Sequence, residues 1–187
     1  MIDKPIPQNG YVMRDDLFDN YQNLLSKVEE FRVDILQTYG EHVLCKYGCT
    51  ECCQQNLSLF PIEFYFLWQG FTLLPESIKR SLRYRVSQGI GKDSSCLLLH
   101  EEGCLLYDFR PIICRTHGLP LSVFDRGQER RDCCPKNFAE YSLELLPKRD
   151  LLNLERLNTI LVAINVVFTY QAKIESGIRL SMAELVA

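Results

Sequence analysis

The chain has 187 residues, 47% of them hydrophobic and 24% charged, and a formal net charge of -3. That length buries an apolar core without covalent or metal staples, and the composition excludes a disordered or low-complexity protein. The small negative charge gives no electrostatic reason for nucleic acid or an anionic membrane to be the main partner.

The first residues, MIDKPIPQNGYVMRDD, lack the apolar run of a secretory signal, so a cytoplasmic location is expected. Residues 15–40 carry Leu17, Phe18, Tyr21, Leu24, Leu25, Val28, Phe31, Ile35 and Leu36 at helical spacing, with Gly40 as the expected stop. Residues 56–60 alternate as a short strand does, and Pro61 opens a helix to about Gly70. A further helix is expected from Pro75 to about Gln88, with Lys79, Arg80, Arg83 and Arg85 on its wet face and Gly89 and Gly91 as breakers.

CLLLHEEGCLLY has the pattern of a hairpin turning at residues 100–103, which places Cys96 and Cys104 on its two arms. Residues 108–114 suit one helical turn and 119–124 a strand with a turn at Arg126-Gly127. Arg126, Arg130 and Arg131 read as a solvated loop. Residues 147–176 read as a long helix packed on the core. Its most apolar stretch, ILVAINVVF, is too short to cross a bilayer. Ser181 and Glu184 have capping-box spacing for a last short helix. The whole predicts a mainly α chain with small β hairpins. It forms one domain, 1–187, with a cysteine-rich core at 45–134 and a helical segment at 147–187.

The cysteines carry most of the functional information. Cys45, Cys49, Cys52 and Cys53 crowd into CKYGCTECC, then come Cys96, Cys104 and Cys114, and the adjacent pair Cys133 and Cys134 closes the series. An odd number of clustered cysteines in a reducing compartment points to thiolate ligands for a soft metal rather than to disulfides. Were the first run helical, Cys45, Cys49 and Cys52 would share a face and Cys53 would point about 100° away. The fourth ligand would then come from Cys96, Cys104, Cys114, Cys133 or Cys134. Eight thiolates could equally serve two sites of four.

CKYGCTECC followed by C-x7-C-L-L-Y-D-F-R-P-I-I-C-R resembles the YkgJ-like cysteine-cluster proteins, with their CxxCxxCC domain. The second half, Cys104, Tyr107, Arg110, Pro111, Cys114 and Arg115, is the more diagnostic. The resemblance implies a zinc- or iron-chelating domain, found also in flagellin lysine N-methylase. This chain departs from the pattern in its first gap of three residues, in His117 where relatives carry an aromatic residue, and in the adjacent pair at 133 and 134.

An iron-sulfur cluster suits a closely spaced all-thiolate set, and Zn2+ bound by four thiolates, or three with His117, would take the same residues. His42 and His100 are weaker ligand candidates. Arg110 and Arg115 flank Cys114 and would balance a thiolate-rich cofactor, or else pair with Asp108, Glu101 or Glu102. The functional expectation is a structural or electron-transfer centre, acting alone or with a protein partner or redox enzyme. Rival readings are a metal-dependent or methylase-like modifying enzyme and a thiol redox sensor using the vicinal pairs. Radical chemistry on S-adenosylmethionine fits poorly, because the chain lacks alternating βα units. No serine-nucleophile, phosphate-loop or HExxH motif is present.

Overall fold

The helical spacing of the N-terminal segment is realised as a 3-10 turn, Asp15–Phe18, leading into α1 (Asp19–Tyr39). The helix buries Tyr21, Leu24, Leu25, Val28 and Ile35. The helix stops at Gly40 as expected, and the chain continues through a 3-10 turn, Gly40–His42. The computed structural model describes residues 14–46, 48–90, 95–100 and 103–186. The expected breaker Gly91 and the hairpin-turn residues Glu101 and Glu102 lie outside them.

After the first cysteine run come β1 (Ser58–Leu59) and α2 (Pro61–Leu73). Pro61 sits in the first turn, where its missing N–H costs nothing. Two buried side chains serve the backbone N–H groups at this end. Glu63 accepts from Phe60 N at 3.2 Å, and Asn165 Oδ1 accepts from Ile62 N at 3.2 Å. Gly70 lies within the helix rather than ending it, because a Cβ there would overlap the Phe109 ring. The second predicted helix is α3 (Glu76–Ser87). Arg85 is not simply on its wet face, since its guanidinium donates to Leu99 O at 2.7 Å.

A hairpin forms from β2 (Leu99–His100) and β3 (Gly103–Cys104), with Leu99 opposite Cys104. Cys96 is not on its arm as expected, because it precedes β2 at a turn closed by Leu99 N donating to Cys96 O at 3.1 Å. The turn near Cys114 is α4 (Ile112–Thr116). Beyond it, β4 (Leu121–Asp125) turns at Arg126 and Gly127, both with positive φ, into β5 (Gln128–Asp132). The loop expected around Arg130 and Arg131 is therefore a strand. Arg131 is anchored, donating to Leu143 O at 2.6 Å and Leu146 O at 2.7 Å.

The long helix expected over 147–176 is shorter. Residues 148–150 form a 3-10 turn, and β6 (Leu152–Asn153) pairs parallel with β4. Only then does α5 (Leu154–Ala172) begin, capped by Asn153 Oδ1 accepting from Arg156 N at 2.7 Å. It ends where Lys173 adopts a left-handed conformation. Leu157, Leu161, Asn165, Phe168 and Thr169 face the core, while Val162, Val166, Val167 and Tyr170 face outward. Finally β7 (Leu180–Ser181) pairs antiparallel with β1, followed by a 3-10 turn, Met182–Val186. Half of the expected capping box is made, as Ser181 N donates to the Glu184 carboxylate at 2.6 Å.

The larger apolar core joins α1, α2 and α5. A smaller one, built on Ile35, Leu119, Phe138, Leu146 and Leu151, lies toward the end of α1. Cys53, Cys96 and Cys104 pack on the first and Cys133 on the second, so the cysteines span the ground between two cores. Among the described residues, no helix is long and apolar enough to cross a membrane.

Candidate metal centre

The first cysteine run is not helical. Residues 43–46 have no regular structure, Gly48 takes a φ of 87°, and only Glu51–Cys53 forms a 3-10 turn. A left-handed residue reverses the chain within a few bonds, which glycine allows at little cost. Cys45, Cys49 and Cys52 line two cavities together, while Cys53 lines a third with Cys49, Cys52, Cys96 and Cys104. The clean division expected of a helix is not made, because the loop brings Cys49 and Cys52 to both sides.

Eight of the nine cysteines line three adjoining cavities that all share Cys49, Cys52 and Cys114. The inner cavity adds Cys53, Cys96 and Cys104. The outer ones add Cys45, His117 and, in one, Cys134. Cys133 lines none of these, and its thiol donates toward Cys134 O at 3.3 Å and Asn137 O at 3.4 Å. His42 instead stacks on Tyr141, with ring centroids 4.7 Å apart, and exposed His100 sits on β2. All nine cysteines are free thiols. Among the described residues, no three Cys, His, Asp or Glu side chains stand grouped as metal ligands. The thiols surround space, with contacts only in pairs, Cys52 with Cys53 and Cys45 with Cys49.

The backbone holds this arrangement together across long sequence separations. Cys96 N donates to Cys53 O at 2.8 Å, tying the first cysteine run to the turn that precedes the hairpin. Glu63, only 3% exposed, accepts from Ile112 N at 3.1 Å and so fixes the start of α4, which carries Cys114. Asn137 is equally buried. Its Oδ1 accepts from Leu44 N at 2.9 Å and Cys45 N at 3.2 Å, while its Nδ2 donates to Gly118 O at 2.6 Å. Gly118 is required by close approach, since a Cβ would sit 3.0 Å from Cys45 Cβ and 2.9 Å from Asn137 Nδ2. Neither Glu63 nor Asn137 was singled out by sequence reasoning. Their partners lie 49 and 92–93 residues away, beyond any local pattern.

Burial sets the thiol electrostatics. It pushes Cys114 up to about 12 and raises Cys96 and Cys104. It also takes Cys45 up to about 11, with further help from the neighbouring Cys49, Cys52 and Cys134. Cys52 goes the other way, down to about 6, because the Cys53 thiol hydrogen-bonds to it, and Cys53 is raised in exchange. Most of these sulfurs are therefore neutral at pH 7, and a bound cation would have to displace their protons.

Arg110 and Arg115 sit where the sequence suggested, but the expected ion pair of either with Asp108 is not made. Arg115 instead donates through Nε to Arg110 O at 2.8 Å and through a terminal nitrogen to the backbone carbonyl of Asp108. Arg110 donates to Tyr107 O at 2.8 Å, and its guanidinium lies 3.5 Å from the centre of the Tyr107 ring.

This site defines the molecule as a mainly helical chain with a thiol-lined set of cavities between two cores. Comparison with family models, with curated proteins and with solved structures gives no match.

Proposed function

We propose that the protein chelates metal through cysteine thiolates, as a structural or electron-transfer centre. The observation that carries this reading is the gathering of eight cysteines, drawn from residues 45 to 134, around adjoining cavities. Burying that many thiols merely to fill space is a poor use of cysteine, whereas soft-metal sites need converging sulfur. The motif resemblance to YkgJ-like cysteine-cluster proteins supports the same chemistry.

The grouping favours two sets of ligands. Cys53, Cys96, Cys104 and Cys114 offer an all-thiolate inner set, suited to an iron-sulfur cluster or to zinc. Cys45, Cys49, Cys52 and Cys134 form the outer set. His117 beside the outer set favours zinc there, because mixed thiolate and imidazole donors are a common zinc environment. Substituting Cys49→Ser or Cys114→Ser tests the assignment, since both residues line every cavity of the group. Metal content and soluble yield should fall together in each, and unchanged metal in both would remove the proposal.

A further inference from the structure

The outer cavity that holds Cys45, Cys49, Cys52 and Cys114 is also lined by Arg32, Lys46, Arg110 and Arg115, and by no Asp or Glu. Four cations on one cavity stand out in a chain whose net charge is -3. Arg32 is already neutralised, since Glu29 receives its guanidinium at 2.7 and 2.9 Å. Arg115 feels the Glu29 and Asp108 carboxylates, and Glu29 also feels Arg110. Among the described residues neither Arg110 nor Arg115 has a carboxylate within ion-pair distance, and each spends its protein hydrogen bonds on backbone carbonyls.

The hydrogen bonds they make leave a defined set of free donors. Arg110 uses only Nε, so among the described residues both of its terminal nitrogens lack a protein acceptor. Arg115 uses Nε and one terminal nitrogen, which leaves the other. Stacking on Tyr107 fixes the plane of the Arg110 guanidinium, and a fixed guanidinium plane presents a rigid fork matched to two oxygens of one anion. Two partly buried like charges side by side are unfavourable until an anion joins them.

We propose that this outer cavity binds the oxyanion group of a small ligand, a carboxylate or a phosphate, between the free edges of Arg110 and Arg115 and beside the thiols of Cys49, Cys52 and Cys114. The inference rests on the thiol site proposed above for the identity of that neighbouring centre. The alternative use for the cations is to offset the charge of the thiolates themselves. Arg110 suits that role in part, because it also lines the inner cavity and its charge acts on Cys52, Cys104 and Cys114. Arg115 and Lys46 line only the outer cavity, where Arg115 is fixed by its bonds to Arg110 O and Asp108 O. They are the cations left for a ligand.

The test titrates the full, metal-loaded chain with inorganic phosphate and, separately, with acetate at low ionic strength, while metal content is measured in the same samples. Saturable binding is expected, with the tighter of the two probes naming the ligand group. Arg115→Gln should weaken it about tenfold and leave metal content unchanged, which is the cost expected for one charge-assisted contact. Arg115→Lys, which keeps the charge and loses the fork, should weaken it several-fold. Arg83→Gln, which removes an arginine paired with Glu76 on α3, should change nothing. No saturable binding of either probe to metal-loaded protein would overturn the proposal, as would equal losses in Arg115→Gln and Arg83→Gln. Loss of metal from Arg115→Gln would overturn it too, by assigning that guanidinium to the thiolates. A chain that holds no metal yet binds the probe with these variant effects would sink the metal reading alone.

Discussion

Replacing Asn137 by alanine removes three hydrogen bonds from a side chain that is 2% exposed. The Gly118 carbonyl would be left buried without a donor, and the Leu44 and Cys45 N–H groups, only half buried, would turn partly to water. At ~1–3 kcal/mol for the orphaned carbonyl and roughly 0.5–1 kcal/mol for each N–H, the loss should total about 2–5 kcal/mol. With a urea m-value of roughly 2 kcal/mol per molar, the unfolding midpoint of metal-free protein should drop by about 1–2.5 M. The same change frees the Cys45 segment from Gly118, so Cys45 should leave the outer thiol set while the inner set persists. Metal per chain should then fall without going to zero. Circular dichroism through a urea series, with elemental analysis of the folded protein, reads both effects. A midpoint within about 0.3 M of the parent, together with full metal content, would refute the view that Asn137 positions the site.

Other changes follow from the same geometry. Gly118→Ala should displace Cys45 and reduce metal content, by an amount that metal analysis would set against Gly177→Ala, a position with nothing near its Cβ and no positive φ. Glu63→Ala strips the acceptor from Phe60 N and Ile112 N and should cost about 2–3 kcal/mol in denaturant unfolding. An unaltered midpoint would show that α4 is held by other contacts. Stability of the metal-free protein should also depend on alkaline pH. The folded-state values of Cys45 and Cys114, about 11 and about 12, lie above the ordinary thiol value of 9.0, so the unfolded chain releases its protons first. Their contribution is full below pH 9 and is lost as pH rises toward 12. Urea midpoints that stay level from pH 8 to pH 11 would contradict the burial of these thiols.

Much of the helical framework was legible, α1 from apolar spacing because it buries one face, and α2 from Pro61 at its start, since it is buried on nearly every side and has no amphipathic stripe. The hairpin bearing Cys104 was legible from an equally local pattern. What escaped was set at a distance. β6 exists because Leu152 and Asn153 pair with β4, and that pairing delays the start of α5 that periodicity placed at residue 147. Arg131 read as loop because its acceptors, Leu143 O and Leu146 O, belong to a segment without a pattern of its own. At the site, the cysteines announced themselves by clustering, but the split of Cys53 from Cys49 and Cys52 expected of a helix is not made, because a loop with a left-handed Gly48 brings all three to one cavity. The residues that hold them, Glu63, Asn137 and Gly118, carry no motif, since each acts through one long-range contact. Cys133 shows the converse, a cysteine in the series whose thiol turns to backbone carbonyls instead of the shared cavities.

The most direct test of thiolate chelation is the metal and sulfide content of protein purified without oxygen and without an affinity-tag metal, read with its visible spectrum. Bound metal is the predicted result, either as about four irons with matching sulfide and a brown colour or as one or two zincs in a colourless protein, and in both cases lowered by Cys49→Ser and by Cys114→Ser. A folded, stable protein that contains none of these, and takes up neither zinc nor iron and sulfide on reconstitution, would contradict it.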